Sequence, residues 1–547
     1  MTVDGDLVAN FAGIFELIAD AVPDRLFLVA GEVRLTYAEM DGRADRAARL
    51  LREAGVGPGD HVGIYAMNRA EWVEVMIACL KLRAVPININ YRYVAAELSY
   101  LLDNADLVSI VVDERYLATL EAALPGIATV RSVIVLPDGA SPSTAPARGR
   151  ALGGCAVMDY ESEPVDGAAV RVPRSGNDPF VTYTGGTTGM PKGVIWRSED
   201  LFFASTRRPL PDGSIPRRVE DLLAHTSSPP VVTLTLAPLM HGTAQQGILT
   251  AFAAAGTAVL WTGREFDASQ VLRLAATERA VSFAVVGDSM AAPILDALGA
   301  DPDRYDLSAL ATLISAGAPL SEGVRERVRT QLPHVVIRNV YGGTEVGHTG
   351  TEVSSAGRPR RFRLSADACV LDDMLRPIQP GSPAVGRIAR SGRIPVGYYK
   401  DPAKTAATFP TDPDGTRWAI PGDLARVEED GTVLLLGREN TVVNTGGEKV
   451  FPDEVEEALK GHDGVADAVV IGAPDARFGE RVVALVVARG GRALDVSAVK
   501  AHCRSLIAGY KVPKEILVVD ALIRSPSGKI DIRWARRTAA QLSAAGS

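Results

Sequence analysis

The run His61-Val-Gly-Ile-Tyr-Ala-Met67 is apolar and breaks at Asn68-Arg69. Ala70-Glu-Trp-Val-Glu-Val-Met-Ile-Ala-Cys-Leu-Lys-Leu82 follows, and after Arg83-Ala84 comes Val85-Pro-Ile-Asn-Ile89. The two short runs have the length and branching of buried strands, and the longer one between them has the length of a helix. Strand, helix and strand within about 30 residues make a βαβ unit, which implies a parallel sheet with helices on its faces. The expected fold is therefore α/β: a large N-terminal domain of parallel and mixed sheets flanked by helices. Upstream, Phe11, Ile14, Phe15, Ile18 and Val22 recur at helical spacing and stop at Pro23. Thr36 and Glu39 form a capping box for a helix whose stripe is Met40, Ala44, Ala47, Leu50 and Leu51. Ser141–Arg150 reads as a surface loop by its Ser, Pro and Gly content.

From about Val433 the texture changes. Strand, turn, strand, a Gly446-Gly447 turn and a helix occupy VLLLGRENTVVNTGGEKVFPDEVEEAL. Beyond come VADAVVIGAPD, VVALVVARGG, a helix over Val496–Leu506 and the tail RSPSGKIDI. These predict a small α+β domain over residues 438–547, after a large domain over 1–437, with the boundary at Gly437–Asn440.

Composition excludes several classes. The 547 residues carry 58 Lys+Arg and 66 Asp+Glu, a net charge of −8, so no nucleic-acid partner is expected. Cys79, Cys155, Cys369 and Cys503 lie far apart without a CxxC pair, which rules against a disulfide scaffold and suits a reducing cytoplasm. The opening MTVDGDLVAN has no basic stretch before an apolar core, so no secretory leader is expected. The most apolar run, near Thr250–Trp261, is too short to span a bilayer, which leaves only peripheral membrane contact open. The oligomeric state is not fixed by any segment; a homodimer is one option.

The strongest local signal is Tyr183-Thr-Gly-Gly-Thr-Thr-Gly-Met-Pro-Lys-Gly-Val194. Glycines permit close backbone approach, N–H groups and threonine hydroxyls donate to phosphate oxygens, and Lys192 adds charge. Pro191-Lys192-Gly193 replaces the Gly-Lys-Ser/Thr of a Walker loop. A flexible surface loop is the bland alternative.

This segment resembles the signature loop of the adenylate-forming superfamily, which comprises acyl-CoA synthetases, peptide-synthetase adenylation domains and luciferases. Further motifs follow in that family's order: Ala237-Pro-Leu-Met-His-Gly242, Ser315-Ala-Gly-Ala-Pro319, Tyr341-Gly-Gly-Thr-Glu345, Gly422-Asp423, Gly437-Arg438, Gly446-Gly447 and Ser525-Pro-Ser-Gly-Lys529. The resemblance runs from about residue 11 to residue 537. It implies that a carboxylate attacks the α-phosphate of ATP to give acyl-AMP and pyrophosphate, and that a thiol then takes the acyl group. Thr184, Gly185, Gly186, Thr187, Thr188, Gly189 and Lys192 would hold the phosphates. Glu345, with Thr187, would coordinate Mg²⁺, and Thr344 would touch the α-phosphate. Tyr341, Gly342, Gly317 and Ala318 would flank the adenine. Asp423, assisted by Arg438, would accept the ribose hydroxyls. Lys529 would bridge the attacking carboxylate and the adenylate.

For the second step the resemblance implies that the small domain is mobile. It would rotate near Asn440, removing Lys529 and bringing Gly447 to the CoA pantetheine. Asn440 stands where the family has Asp or Lys, and Pro421 where it has Thr. Bland readings exist for each position: Glu345 an exposed loop carboxylate, Asp423 a turn residue, Tyr341 core packing, Gly446-Gly447 a simple turn, Lys529 a solvated tail lysine.

His241 lies where the family often places a gate beside the acyl carboxylate; a buried structural histidine is the alternative. No acidic residue occurs between Val231 and Gln246, where amino-acid-activating relatives have an Asp, so a free α-amino acid is not expected. The acyl pocket should draw on Val231–Gln246, Phe283–Pro293 and Ser315–Gly317, which are mainly apolar. Val286-Gly287-Asp288 and Asn88-Ile-Asn-Tyr-Arg-Tyr93 resemble an actinobacterial subgroup handling fatty acids or bulky sterol side-chain acids. The leading reading is an acid:CoA ligase. An enzyme acylating a carrier-protein pantetheine and a non-catalytic nucleotide-binding relative are the alternatives. Lysine is scarce, ten of the 58 cations, and Lys192 and Lys529 fall in chemical motifs. Lys81, Lys400, Lys404, Lys460 and Lys500 read as solvated.

Overall fold

The computed structural model describes residues 2–3, 6–7, 9–138, 151–162, 167–184, 190–206, 208–318, 320–353, 360–445, 448–475, 478–491, 493–524 and 530–545. The chain divides into two compact units, one of residues 1–285, 303–313 and 393–407, the other of 286–302, 314–392 and 408–547.

In the first unit the βαβ reading holds. His61–Tyr65 and Val85–Asn88 pair in parallel, joined by the helix Ala70–Leu82. Leu107–Asp113, Ser132–Leu136 and Cys155–Asp159 extend the sheet in parallel, and Ala151–Leu152 adds an antiparallel edge. Parallel strands are covered on both faces, and every residue of His61–Tyr65 and Val85–Asn88 is buried. The strands are one or two residues shorter than the apolar runs that announced them, because the ladder ends before the chain turns. A second parallel set, Ser282–Val285, Val232–Thr235, Thr257–Leu260 and Leu26–Ala30, ends in a hairpin to Val33–Thr36. The predicted capping box is present: Glu39 N–H donates to the Thr36 hydroxyl, the Glu39 carboxylate accepts from Thr36 N–H, and Tyr37–Glu53 is helical. Pro179–Thr184, Lys192–Arg197 and Gly397–Tyr398 form a separate antiparallel sheet. The Ser141–Arg150 loop lies outside the described residues.

The second unit is mostly antiparallel. Ala368–Leu371, Val385–Arg390, Asp423–Val427, Val433–Arg438, Arg361–Leu364, Gly347–Glu352 and Val336–Gly343 pair in that order. Toward the C-terminus, Val465–Asp475 pairs with Gly479–Ala488, flanked by Val443–Thr445, Glu448–Val450 and the parallel strand Glu515–Val519. The helices Pro452–Lys460 and Val496–Leu506 contribute Val455, Leu459, Val499 and Cys503 to one core of this sheet. Ile532–Ala545 contributes Ala535 and Ala539 to another. The chain is thus α/β with parallel and mixed sheets and a smaller α+β section at its C-terminal end, as expected. Among the described residues, no helix is long and apolar enough to cross a membrane.

Candidate active site

In the second unit the strand Val336–Gly343 turns back through Thr344, Glu345 and Val346 into Gly347–Glu352. Val346 N–H closes this turn on the Gly343 carbonyl at 3.2 Å. The ladder slips register between Tyr341 and Gly342, a local irregularity that re-aims side chains. A Cβ on Gly342 would lie 2.2 Å from the Gly347 carbonyl oxygen, so closure of the hairpin alone requires glycine there.

Asp423 and Arg438 face each other across two neighbouring antiparallel strands. The Tyr341 hydroxyl donates to Asp423 Oδ2 at 2.7 Å, and Arg438 Nε donates to Oδ1 at 3.2 Å. Each oxygen retains acceptor capacity for a further donor. Burial pushes the Tyr341 phenol pKa well up, and the Asp423 charge adds to this, so the hydroxyl remains a donor. Burial works against the charge on Arg438, but attraction to Asp423 and Glu345 outweighs it and holds its pKa above the ordinary value. Glu345 is thereby within electrostatic reach of both Arg438 and Tyr341. Tyr341 also packs edge-on against Phe362, so it has a core contact as well as a polar end.

The Gly317–Ala318 turn is held by its own network. Gly317 sits at φ +85°, which favours glycine. The Ser315 hydroxyl donates to the Ala318 carbonyl at 2.8 Å and accepts from Gly287 N–H at 3.0 Å.

In the first unit, Thr184 and Lys192 face each other as the last and first residues of paired strands. Gly193 is a packing requirement, since a Cβ there would lie 2.7 Å from the Tyr183 ring. The Lys192 ammonium, 39% exposed, is 2.5 Å from Asp401 Oδ2 and 6.0 Å from the centre of the Tyr398 ring. The Lys192 ammonium and the Lys404 N–H together hold the Asp401 carboxyl below the usual carboxylate range. A phosphate arriving at Lys192 would compete with Asp401 for that ammonium.

Side-chain amides brace Ala237-Pro-Leu-Met-His-Gly242. Asn68 Nδ2 donates to the Ala237 carbonyl at 3.3 Å, while its Oδ1 accepts from Leu239 N–H at 2.7 Å. Gln245 Nε2 donates to the Leu239 carbonyl at 2.9 Å, and Asn88 Nδ2 to the Met240 carbonyl at 2.6 Å. His241 is the N-cap residue of the helix Gly242–Ala253, and its N–H donates to the Pro238 carbonyl at 3.0 Å.

A family model described as "AMP-binding enzyme" matches residues 15–399, and a second, "AMP-binding enzyme C-terminal domain", matches residues 454–529. The chain belongs to the family of AMP-binding enzymes. A medium/long-chain-fatty-acid–CoA/3-oxocholest-4-en-26-oate–CoA ligase of Mycobacterium marinum is 42% identical over 539 residues, covering 96% of each chain. A 3-oxocholest-4-en-26-oate–CoA ligase of Rhodococcus rhodochrous is 41% identical over 547 residues, covering 97% of this chain and 96% of its own. In fold the chain is similar to the anthranilate CoA ligase AuaEII solved with anthranoyl-AMP, with a TM-score of 0.81, 22% identity and 99% of each chain covered.

For this AMP-binding enzyme, the structure brings together Tyr341, Asp423, Arg438 and Glu345 from three separate motifs. Thr344 shares the turn with Glu345. Gly185, Gly186, Thr187, Thr188, Gly189, Gly447 and Lys529, together with the side chain of Asn440, lie outside the described residues. Sequence reasoning missed Asn68 and Arg390, whose guanidinium donates to the Val346 and His348 carbonyls beside Glu345, and noted Asn88 only for its resemblance. A polar residue in or beside an apolar strand was the available signal for both asparagines. The reading of Lys81 as solvated is corrected: it is wholly buried, 2.5 Å from Asp45, 2.7 Å from Asp41 and 3.4 Å from Glu16. Its helix is buried along nearly its whole length, and Lys81 is buried with it and paired by carboxylates of other helices.

Proposed function

We propose that this chain is an AMP-forming acid:CoA ligase that activates a hydrophobic carboxylic acid, of the fatty-acid or sterol-side-chain class, and passes it to CoA. The observation that carries this reading is the convergence of Tyr341, Asp423, Arg438 and Glu345 within one sheet of an AMP-binding enzyme. Identity of 41–42% over nearly the whole length to fatty-acid and steroid-acid CoA ligases supports the choice of substrate and acceptor.

Adenylation joins two anions, so the residues work by positioning and charge neutralisation. Asp423, oriented by the Tyr341 hydroxyl and Arg438, accepts both ribose hydroxyls. The loop from Thr184 to Lys192 takes the β- and γ-phosphates, and Lys192 exchanges Asp401 for a phosphate oxygen. Gly317, Ala318, Tyr341 and Gly342 flank the adenine, and Thr344 meets the α-phosphate. Glu345 offers a hard oxygen from a closed turn, a donor that fits Mg²⁺, which is held by one or two carboxylates plus phosphate oxygens. Thr187 would be the second protein ligand of such an ion, whose charge would offset that of the phosphates. His241 gates the acyl carboxylate. Lys529 stabilises the charge that shifts as the carboxylate attacks. Residues 438–547 act as the lid that rotates about Asn440 and brings Gly447 to the thiol.

The test is pyrophosphate release across straight-chain, aromatic and steroid acids, with and without CoA. Acid-dependent release, with acyl-CoA formed when CoA is present, is expected. Release that depends on no acid would overturn the enzyme reading, and release indifferent to CoA would move the acceptor to another pantetheine.

A further inference from the structure

We infer that Asn88 is a positioning residue that ties the start of the phosphate-binding loop to the acyl gate. The inference rests on the ligase reading above. Asn88 ends the edge strand Val85–Asn88 of the parallel sheet, and ligands of α/β folds bind beyond the carboxyl ends of such strands. Its side chain is 4% exposed and makes three hydrogen bonds. Oδ1 accepts from Tyr183 N–H at 2.8 Å, and Nδ2 donates to the Tyr183 carbonyl at 2.8 Å and to the Met240 carbonyl at 2.6 Å.

The amide thus meets both backbone groups of Tyr183 as a neighbouring strand would, and spends its other donor on a different loop. Tyr183 immediately precedes Thr184, where the phosphate-binding segment begins, and Met240 immediately precedes His241. These partners lie 95 and 152 residues away in sequence. A buried amide with three bonds holds its partners in one geometry, since leaving any of them unpaired is costly. One rigid group therefore sets the spacing between the nucleotide-phosphate element and the acid element, and both substrates should feel its loss.

Asn88→Asp keeps the shape and the acceptor for Tyr183 N–H, but removes both donors and sets a carboxylate against two carbonyls. Asn104 provides the control: it accepts from the Tyr183 hydroxyl at 2.8 Å, so Asn104→Ala loosens the same tyrosine without touching either carbonyl. The full chain is assayed for acid-dependent pyrophosphate release, varying ATP and a long-chain fatty acid separately, alongside thermal melts. In Asn88→Asp both KM values are expected to rise about tenfold, as for a lost buried hydrogen bond, with a smaller change in kcat. Lowering the pH should shrink both penalties, because a protonated carboxyl regains one donor. Asn104→Ala should lower Tm and leave both KM values in place. Should Asn88→Asp fail to fold, Asn88→Ala is read the same way. A fall in Tm with both KM values unchanged, or a rise in one alone, overturns the coupling role. A wild-type chain that releases no pyrophosphate with any acid overturns the ligase reading itself, and the inference with it.

Discussion

Replacing Arg390 by methionine probes how the hairpin turn that carries Glu345 is held. Arg390 is 2% exposed. Its Nε and Nη2 donate to Asp367 Oδ2 at 3.0 and 2.7 Å, and its Nη1 donates to the Val346 and His348 carbonyls at 2.6 and 3.0 Å. Val346 directly follows Glu345, so the guanidinium grips the backbone on which that carboxylate is mounted. Methionine keeps much of the apolar stem, which makes the loss almost wholly polar.

Removing one partner of a buried ion pair costs about 3–5 kcal/mol, and access of water to the partly exposed Asp367 brings the expectation to the lower end, about 3 kcal/mol. The pH dependence has a definite sign. Burial alone would raise the Asp367 pKa, but the Ser365 hydroxyl and Arg390 outweigh it and hold the carboxyl below its ordinary range. Such a group contributes stability above the unfolded pKa of about 3.9 and loses it as pH falls through the folded value. The Tm gap between wild type and Arg390→Met should therefore be full at neutral pH and narrow below about pH 4.

Misplacement of a reacting group by about 1 Å can cost on the order of 10²-fold, so kcat/KM for ATP should fall by about 10- to 100-fold. The assay pairs thermal melts across pH with steady-state pyrophosphate release in Arg390→Met, Glu345→Gln and the double variant. If Arg390 acts through Glu345, the double variant is little worse than Glu345→Gln alone. Unchanged kcat/KM, or fully additive losses, would show that Arg390 does not act through Glu345.

Tyr341→Phe removes the phenol donor from Asp423 while leaving Arg438 in place; a hydrogen bond to a charged group is worth about 1.5–3 kcal/mol, so KM for ATP should rise about tenfold or more in a steady-state titration, and an unchanged KM would contradict the assigned role. Lys81→Met strands three carboxylates around a buried site and should destabilise the first unit by about 3–5 kcal/mol in chemical or thermal melts, with the folded fraction still releasing pyrophosphate; an unaltered melt would show that the cluster contributes nothing net. Lys529→Ala should slow adenylation by on the order of 10²–10³ while transfer from pre-formed acyl-AMP to CoA is much less affected, read by assaying the half-reactions separately; equal losses in both would remove Lys529 from the first step.

Local rules carried much of the fold. Phe11–Ala21 was legible from periodicity ending at Pro23 and Tyr37–Glu53 from its capping box, because each depends on neighbours within a few residues. Lys81 was misread because a lone charge near a helix end has the same local pattern whether solvated or buried; only the partners at Asp41 and Asp45, supplied by another helix, decide it. Tyr341, Asp423 and Arg438 were singled out through family resemblance. Their hydrogen bonds to one another follow from strand pairings between distant segments, which no local pattern encodes. Arg390, Asn68 and Asn88 act on backbone carbonyls tens to hundreds of residues away, and a carbonyl leaves no mark on residue identity. Gly342 stood in the sequence as an adenine neighbour and Gly193 as the end of a phosphate-loop segment, whereas each also answers a close approach in the folded chain that local sequence does not encode.

The most direct measurement is a single turnover followed by rapid quench. The enzyme is mixed with ATP, Mg²⁺ and a long-chain fatty acid while CoA is withheld, and nucleotide and acyl products are identified by mass spectrometry. Acyl-AMP and pyrophosphate are expected in equal amounts, held until CoA is added and then converted to acyl-CoA and AMP. ADP and phosphate as products, or nucleotide cleavage that does not require the acid, would contradict that expectation.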